Sequence, residues 1–302
     1  MTGAARFQGI YPMLYALFQA DGRLDREAMR RQVEFCLAQG VHGIAILGLG
    51  TEVGKLSPDE KRQIIDWVAS DIGGRRPLAV TISGPTPAAQ SELARAAQEA
   101  GAAWLILQPP PEKKLSEAEL IRFFGAVMER ASCPVAIQNA PDYLGIGLGN
   151  AGLATLARQH ENFTLLKGEG SALAISRTIA ETDGKLAVFN GRGGLELPDN
   201  LRAGCAGLIP GAEGCGGQAR IFELMRSGSP TDEREADRLY AEILPLLVFL
   251  MQSVDNILCY GKRLLAHRVG LDAVHDRAPA LAPQEFGMAT LKRHARALDV
   301  EM

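Results

Sequence analysis

Short apolar runs alternate with longer amphipathic stretches along the first three quarters of the chain. Residues 7–14 read as a first strand, and 26–39 as a helix with Leu24, Met29, Val33 and Cys36 in apolar positions. The run 43–47, GIAIL, is a second strand. Ser57-Pro58-Asp59-Glu60 then opens a helix that runs to residue 72. Serine caps it, proline takes the first helical position, and the glutamate completes a capping box. Strands follow at 77–82, 103–107 and 134–138, separated by helices over 87–100 and 116–130; Ser116-Glu117-Ala118-Glu119 is a second capping box. A helix over 150–160, a strand over 163–167 and a helix over 171–181 come next. A strand over 186–190, a short helix over 195–203, a strand over 207–209 and a helix over 216–227 complete the pattern.

Strand–helix units recurring roughly every 20–30 residues have the length of a βαβ repeat. Eight of them before residue 228 predict an α/β fold, a (β/α)8 TIM barrel over residues 1–228. A doubly wound open sheet is the alternative. That fold carries a glycine fingerprint for phosphate after its first strand, and residues 15–21 contain no G-x-G-x-x-G. Beyond 228 the pattern is purely helical, with helices expected over 232–251, 254–269 and 283–298. No Gly-, Ser- or Pro-rich linker sets this part off. Residues 229–302 are therefore expected to be a C-terminal helical extension packed on the barrel or on a neighbouring subunit.

Composition narrows the setting. With 47% hydrophobic and 22% charged residues among 302, the chain has the makeup of a globular protein with a large core. A net charge of −3 gives no electrostatic footprint for nucleic acid or an anionic membrane. The odd number of cysteines, none in CxxC spacing, argues against a disulfide framework or a zinc site and for buried, reduced thiols. Residues 1–8 lack a basic region followed by an apolar run, and 243–251 is too short to span a bilayer. A cytoplasmic location is expected.

A barrel of this kind carries its chemistry at the carboxyl ends of its strands. Those ends read Gly48-Leu49-Gly50-Thr51-Glu52, Gln108-Pro109-Pro110-Pro111, Gln138-Asn139-Ala140-Pro141, Lys167-Gly168-Glu169, Asn190-Gly191-Arg192-Gly193 and Ile209-Pro210-Gly211. Lys167 is the one lysine among them, and no histidine is there. A lysine closing an apolar strand is desolvated, which disfavours its charged form and suits it to attack a carbonyl. On the strand alone, a first solvated surface lysine is the competing reading. Without converging His, Asp and Glu ligands the rim favours amine chemistry over metal chemistry, so no metal is expected. Glu169 is the carboxylate beside the lysine. It is a candidate acid–base group, or else an ion-pair partner of Lys167 or a cap for the helix near Ser171. Gly50 and Thr51 lie in a glycine-rich loop whose N–H groups can hold a carboxylate. Asn190, Gly191 and Ile209 are further candidate substrate contacts.

These motifs, taken in order, resemble the dihydrodipicolinate synthase / N-acetylneuraminate lyase superfamily of Schiff-base lyases. The resemblance spans nearly the whole chain. It is carried by Gly9-Ile10-Tyr11-Pro12, G-L-G-T-E at 48–52, the prolines at 109–110, N-x-P at 139–141, the lysine of L-L-K, and G-x-x-G-x-I at 204–209. It implies an imine between Lys167 and pyruvate or another 2-oxo acid, with no cofactor besides that covalent lysine. It implies carboxylate binding at Gly50 and Thr51 and a homotetramer built as a dimer of dimers.

The departures redirect the reading. The family's proton-relaying tyrosine of Y-N-x-P is Gln138 here, its T-T pair is Leu49-Gly50, and the aromatic expected after P-P is Pro111. The arginine of dihydrodipicolinate synthases is Tyr143. Lysine biosynthesis is therefore disfavoured. Q-x-A-P at 138–141 and K-x-E at 167–169 resemble the 2-keto-3-deoxy-L-arabonate dehydratase branch. This implies a dehydratase of a 3-deoxy-2-oxo sugar acid, with Lys167 as nucleophile, Glu169 as acid–base group, and Gln138 and Asn139 orienting hydroxyls or a water. Asp142, Tyr143, Arg192 and Glu213 would read the far end of the substrate. A pyruvate-dependent aldolase, a condensing synthase or a non-catalytic 2-oxo acid binder are the alternatives.

Overall fold

The computed structural model describes residues 7–298 and 300–302. Residues 1–6, most of the stretch read for a leader, lie outside the described residues. Eight parallel strands pair in the order β1-β8-β7-β6-β5-β4-β3-β2. They are β1 (Gly9–Ile10), β2 (Ile44–Ile46), β3 (Leu78–Ile82), β4 (Trp104–Leu107), β5 (Val135–Asn139), β6 (Phe163–Gly168), β7 (Ala187–Asn190) and β8 (Gly207–Leu208). Met13 closes the ring by bridging in parallel to Ala45 after β1 and to Gly211 after β8. The expected eight-stranded barrel is the observed one.

The first strand is shorter than its apolar run suggested. Pro12 has no N–H to donate, so the ladder breaks there and resumes at Met13, whose N–H reaches the Pro210 carbonyl at 2.7 Å. The two shortest strands meet at Gly207, where a Cβ would lie 1.9 Å from the Gly9 carbonyl oxygen; only glycine lets these backbones approach.

The helices of the repeat are α1 (Arg26–Ala38), α2 (Pro58–Ile72), α3 (Pro87–Glu99), α4 (Glu117–Met128), α5 (Pro141–Leu144), α6 (Asn150–Gln159), α7 (Ala172–Glu181), α8 (Leu197–Arg202) and α9 (Cys215–Arg226). Both capping boxes form, at Ser57/Glu60 and Ser116/Glu119. The one-turn α5 was not expected. It follows directly from Pro141, whose fixed φ suits a first helical turn.

After residue 228 come α10 (Pro230–Leu250), α11 (Val254–Asn256), a π turn over Ile257–Gly261, α12 (Lys262–Arg268) and α13 (Glu285–Ala295). α10 begins two residues ahead of the expected start because Ser229 caps it and Pro230 fits its first position. Its Ile243 and Leu247 pack with Ile221 and Phe222 of α9, while Leu246 and Leu250 pack with Tyr260, Leu264 and Leu291. No single helix among the described residues is long and apolar enough to cross a membrane. Cys36, Cys205, Cys215 and Cys259 are buried, Cys133 is half-buried, and all five are free.

Strand alternation fixes which side chains enter the barrel. Tyr11, Met13, Ala45, Ala79, Trp104, Ile106, Ala136, Leu165, Ala187, Phe189 and Ile209 form its interior. Alanines on four strands leave room for Trp104, Tyr11 and Phe189, which meet edge-on or tilted at 5.2–5.6 Å.

Candidate active site

Extending those inward rows towards the carboxyl ends builds the site. Leu165 is followed inward by Lys167 and then Glu169, Ala136 by Gln138, Ile106 by Gln108, and Phe189 by Gly191. In the β5–β6 register Gln138 stands opposite Lys167. Lys167 Nζ lies 3.1 Å from Glu169 Oε1, with side chains only 5% and 8% exposed. The bland reading of Lys167 as a solvated surface residue is therefore set aside. Glu169 does not cap α7; the Ser171 hydroxyl does, accepting from Ala174 N–H.

The glutamate is held from three sides. Gln138 Nε2 donates to its Oε1 at 3.2 Å. The Arg192 N–H donates to its Oε2 at 2.9 Å. That N–H is aimed by a left-handed residue, Arg192 at φ 53°, reached through Gly191. Gln138 has one useful amide orientation, since its Oε1 accepts from Gln108 Nε2 at 2.9 Å. Gln90 Nε2 in turn donates to the Gln108 carbonyl at 2.8 Å. This buried chain turns Gln138 into a fixed donor towards Glu169. Strand-end position alone assigns Gln108 no role; its place two residues after Ile106 is the signal that it faces inward.

Gly191 contributes by what it lacks. A Cβ there would lie 2.1 Å from Glu169 Oε2. Gly191→Ala is expected to push the carboxylate off Lys167 and lower turnover by roughly tenfold or more while the fold is retained, since misplacement of about an ångström carries costs of that order. Steady-state rates beside a melting curve check this; unchanged turnover would contradict the packing argument.

A cleft with about 540 Å³ of empty space, part of it open to solvent, sits above the pair. Gly50, Tyr143 and Arg192 line it with Lys167, Glu169 and Ile209. Met251, Val254 and Ile257 line it from the C-terminal segment. Ile257 begins the π turn, a distortion often found beside functional sites. Burial and the nearby Glu169 charge push the Tyr143 phenol up.

The loop carrying Gly50 is anchored from behind. Glu52, buried and left-handed, pairs with Lys55 and with buried Lys262 of α12. Lys262 lies 3.7 Å from Asp276, which also pairs with Arg263 at 2.7 Å. Among the described residues the Gly50 N–H has no acceptor within the chain, so it is available to a ligand.

Several expected contacts are committed elsewhere. The Thr51 hydroxyl donates to the Leu14 carbonyl at 2.6 Å and its N–H to the Gly48 carbonyl, so Thr51 shapes the loop and offers no donor to a carboxylate. Asn139 has the opposite parity to Gln138. Its amide clasps Leu148 in both directions, at 2.9 and 2.8 Å, and pins the 140–148 loop. Asn190, opposite in parity to Gly191, donates to the Gly170 carbonyl and to Asn200 Oδ1 and is fully buried. Glu213 is not on the rim; it is buried beneath the cleft against Tyr15. Asp142 is exposed and does not line the cleft. Among the described residues no group of three or more His, Cys, Asp or Glu side chains could hold a metal ion.

Comparison with known proteins bears on this geometry. A family model described as the dihydrodipicolinate synthetase family matches residues 6–297. A 4-hydroxy-tetrahydrodipicolinate synthase of Methanoculleus marisnigri is 32% identical over 247 residues, covering 80% of this chain and 83% of its own. An L-2-keto-3-deoxyarabonate dehydratase of Azospirillum brasilense is 28% identical over 252 residues, covering 82% and 80%. Among solved structures, YagE of Escherichia coli K12, a prophage protein of the dihydrodipicolinic acid synthase family in complex with pyruvate, superposes with a TM-score of 0.87. That likeness is at 25% identity over 98% of this chain and 99% of YagE.

Proposed function

The chain belongs to the dihydrodipicolinate synthetase family, and on that premise we propose that it is a metal-independent lyase dehydrating a 3-deoxy-2-oxo sugar acid through an imine on Lys167. The observation that carries the reading is the buried contact of Lys167 Nζ with Glu169 Oε1 at 3.1 Å, with Gln138 donating to the same carboxylate.

Glu169 accepts a proton from Lys167, freeing the amine to attack the C2 carbonyl; that proton and one from the nitrogen leave with the C2 oxygen as water, which gives the iminium and restores the Glu169 carboxylate. The iminium withdraws electrons and acidifies C3. Glu169 removes a C3 proton to give an enamine. It then delivers that proton to the C4 hydroxyl, which leaves as water while the enamine electrons form the C3–C4 double bond. Hydrolysis releases the product and restores the lysine. No cofactor enters these steps. Gln138 cannot relay protons; it keeps Glu169 oriented while the glutamate carries them. The free Gly50 N–H is placed to hold the substrate carboxylate.

The same resemblance leads us to propose a homotetramer, and the five free cysteines a cytoplasmic location; the largely exposed Leu173 and Phe286 are apolar side chains that an assembly would cover. A panel of 3-deoxy-2-oxo acids, scored for water loss against pyruvate release, tests the reaction. Water loss without pyruvate is the expected result. Pyruvate release would replace the dehydratase with an aldolase on the same imine, and loss of activity to a chelator would remove the metal-independent reading.

A further inference from the structure

One buried acid beside the cleft takes no part in those steps. Glu213 is 2% exposed, and Tyr15 Oη lies 2.6 Å from its Oε2. Tyr15, fully buried and packed with Met29, Val33 and Cys36 of α1, lines the cleft with Met13, Gly50 and Lys167. Its backbone is clamped by Gln32 of α1, which accepts from the Tyr15 N–H at 2.8 Å and donates to its carbonyl at 3.0 Å. Two glycines make the space. A Cβ at Gly261, in the π turn, would lie 2.4 Å from Tyr15 Oη, and one at Gly211 would lie 2.2 Å from Glu213 Oε2. We propose that Tyr15 donates a hydrogen bond to the bound 2-oxo acid and that Glu213, protonated, is the positioning residue that turns the phenol O–H towards the cleft.

Among the described residues no cation forms an ion pair with the Glu213 carboxylate. The nearest candidate, Arg268, instead donates to the Glu213 backbone carbonyl and stacks over Phe35 at 4.8 Å. An unpaired carboxylate in a buried site is costly and is relieved by taking up a proton. Burial pushes the Glu213 carboxyl up, against smaller opposing effects of the Tyr15 hydrogen bond and Arg268. Burial above all pushes the Tyr15 phenol well up, and the Glu52 charge adds to it, so the phenol stays protonated. Cys36, held up by burial, and Cys215 pack in the same cluster as Tyr15, and Lys167 and Glu169 share the cleft with it.

The two states of Glu213 do different things. Protonated, its O–H donates to Tyr15 Oη, and the phenol hydrogen is left for an acceptor in the cleft. Ionised, it draws the phenol hydrogen to itself, and the cleft loses that donor. Binding supported by Tyr15 is therefore present below the raised Glu213 pKa and lost above it.

The proposal rests on the reading that the cleft binds a 2-oxo acid. The test uses pyruvate as probe, measuring affinity by calorimetry between about pH 6 and pH 9, with borohydride trapping in parallel. Tyr15→Phe is expected to bind pyruvate about tenfold more weakly at neutral pH, the scale of a hydrogen bond to a charged group. Wild-type affinity is expected to fall towards alkaline pH. Glu213→Gln, whose amide keeps an N–H donor for the phenol at every pH, is expected to keep neutral affinity and lose the Glu213-dependent part of that fall. Unchanged affinity in Tyr15→Phe, or an unaltered pH profile in Glu213→Gln, would overturn the assignment. A wild type that binds pyruvate but yields no adduct would overturn the imine instead, and the affinity comparison would still decide Tyr15. No pyruvate binding in the wild type would overturn both.

Discussion

Lys167→Ala is expected to abolish the covalent adduct that borohydride traps with pyruvate and to lower turnover on the order of 10⁶-fold, the scale reached when a covalent nucleophile is removed. The reason lies in the barrel geometry. Lys167 is the lysine on the inward rows that build the cleft, and its Nζ is buried against Glu169. Truncation also leaves a buried carboxylate without its cation, a change that costs about 3–5 kcal/mol where nothing else compensates. Gln138 and the Arg192 N–H still donate to Glu169, so the loss is expected at the lower end and the variant should fold. Mass spectrometry of the trapped protein reads the outcome. An adduct persisting in the variant, or a wild type that traps nothing while turning over substrate, would remove Lys167 as nucleophile.

Glu169→Gln separates binding from proton transfer. The amide fills the same space, so the imine should still be trapped to a similar extent. It cannot take up the C3 proton, so turnover is expected to fall by about 10²–10⁴-fold, the range for a lost general acid–base group. The amide also cannot accept from Gln138 and the Arg192 N–H while offering the same charge to Lys167, which makes a modest slowing of adduct formation part of the expectation. Turnover within a few fold of wild type would make Glu169 a mere counter-ion of the lysine. Loss of trapping together with turnover would make it necessary for imine formation itself.

Most of the fold was legible because the relevant signals are local. Apolar runs of strand length, capping boxes at Ser57 and Ser116, and helical spacing each sit within a dozen residues, and their repetition eight times implies closure. Lys167 and Glu169 were legible for the same reason, since they end one strand and share its inward parity. The misassigned residues also follow a rule. Asn139 and Asn190 end strands, yet each has the outward parity of its own strand and spends its amide on a loop carbonyl. Gln108 has the inward parity and reaches Gln138.

The sequence by itself determined the barrel, the lysine and the carboxylate next to it. Tertiary structure alone decided what that carboxylate is tied to and what borders the space above it. The donors on Glu169 come from β5 and from the residue after Gly191, the far wall of the cleft from Met251, Val254 and Ile257, and the Tyr15–Glu213 pair joins positions 198 residues apart. Local periodicity sets only the face a side chain takes on its own element. Which faces meet is set by closure of the sheet and by the packing of α10 to α12 on it, so these contacts exist only once the chain has folded around them.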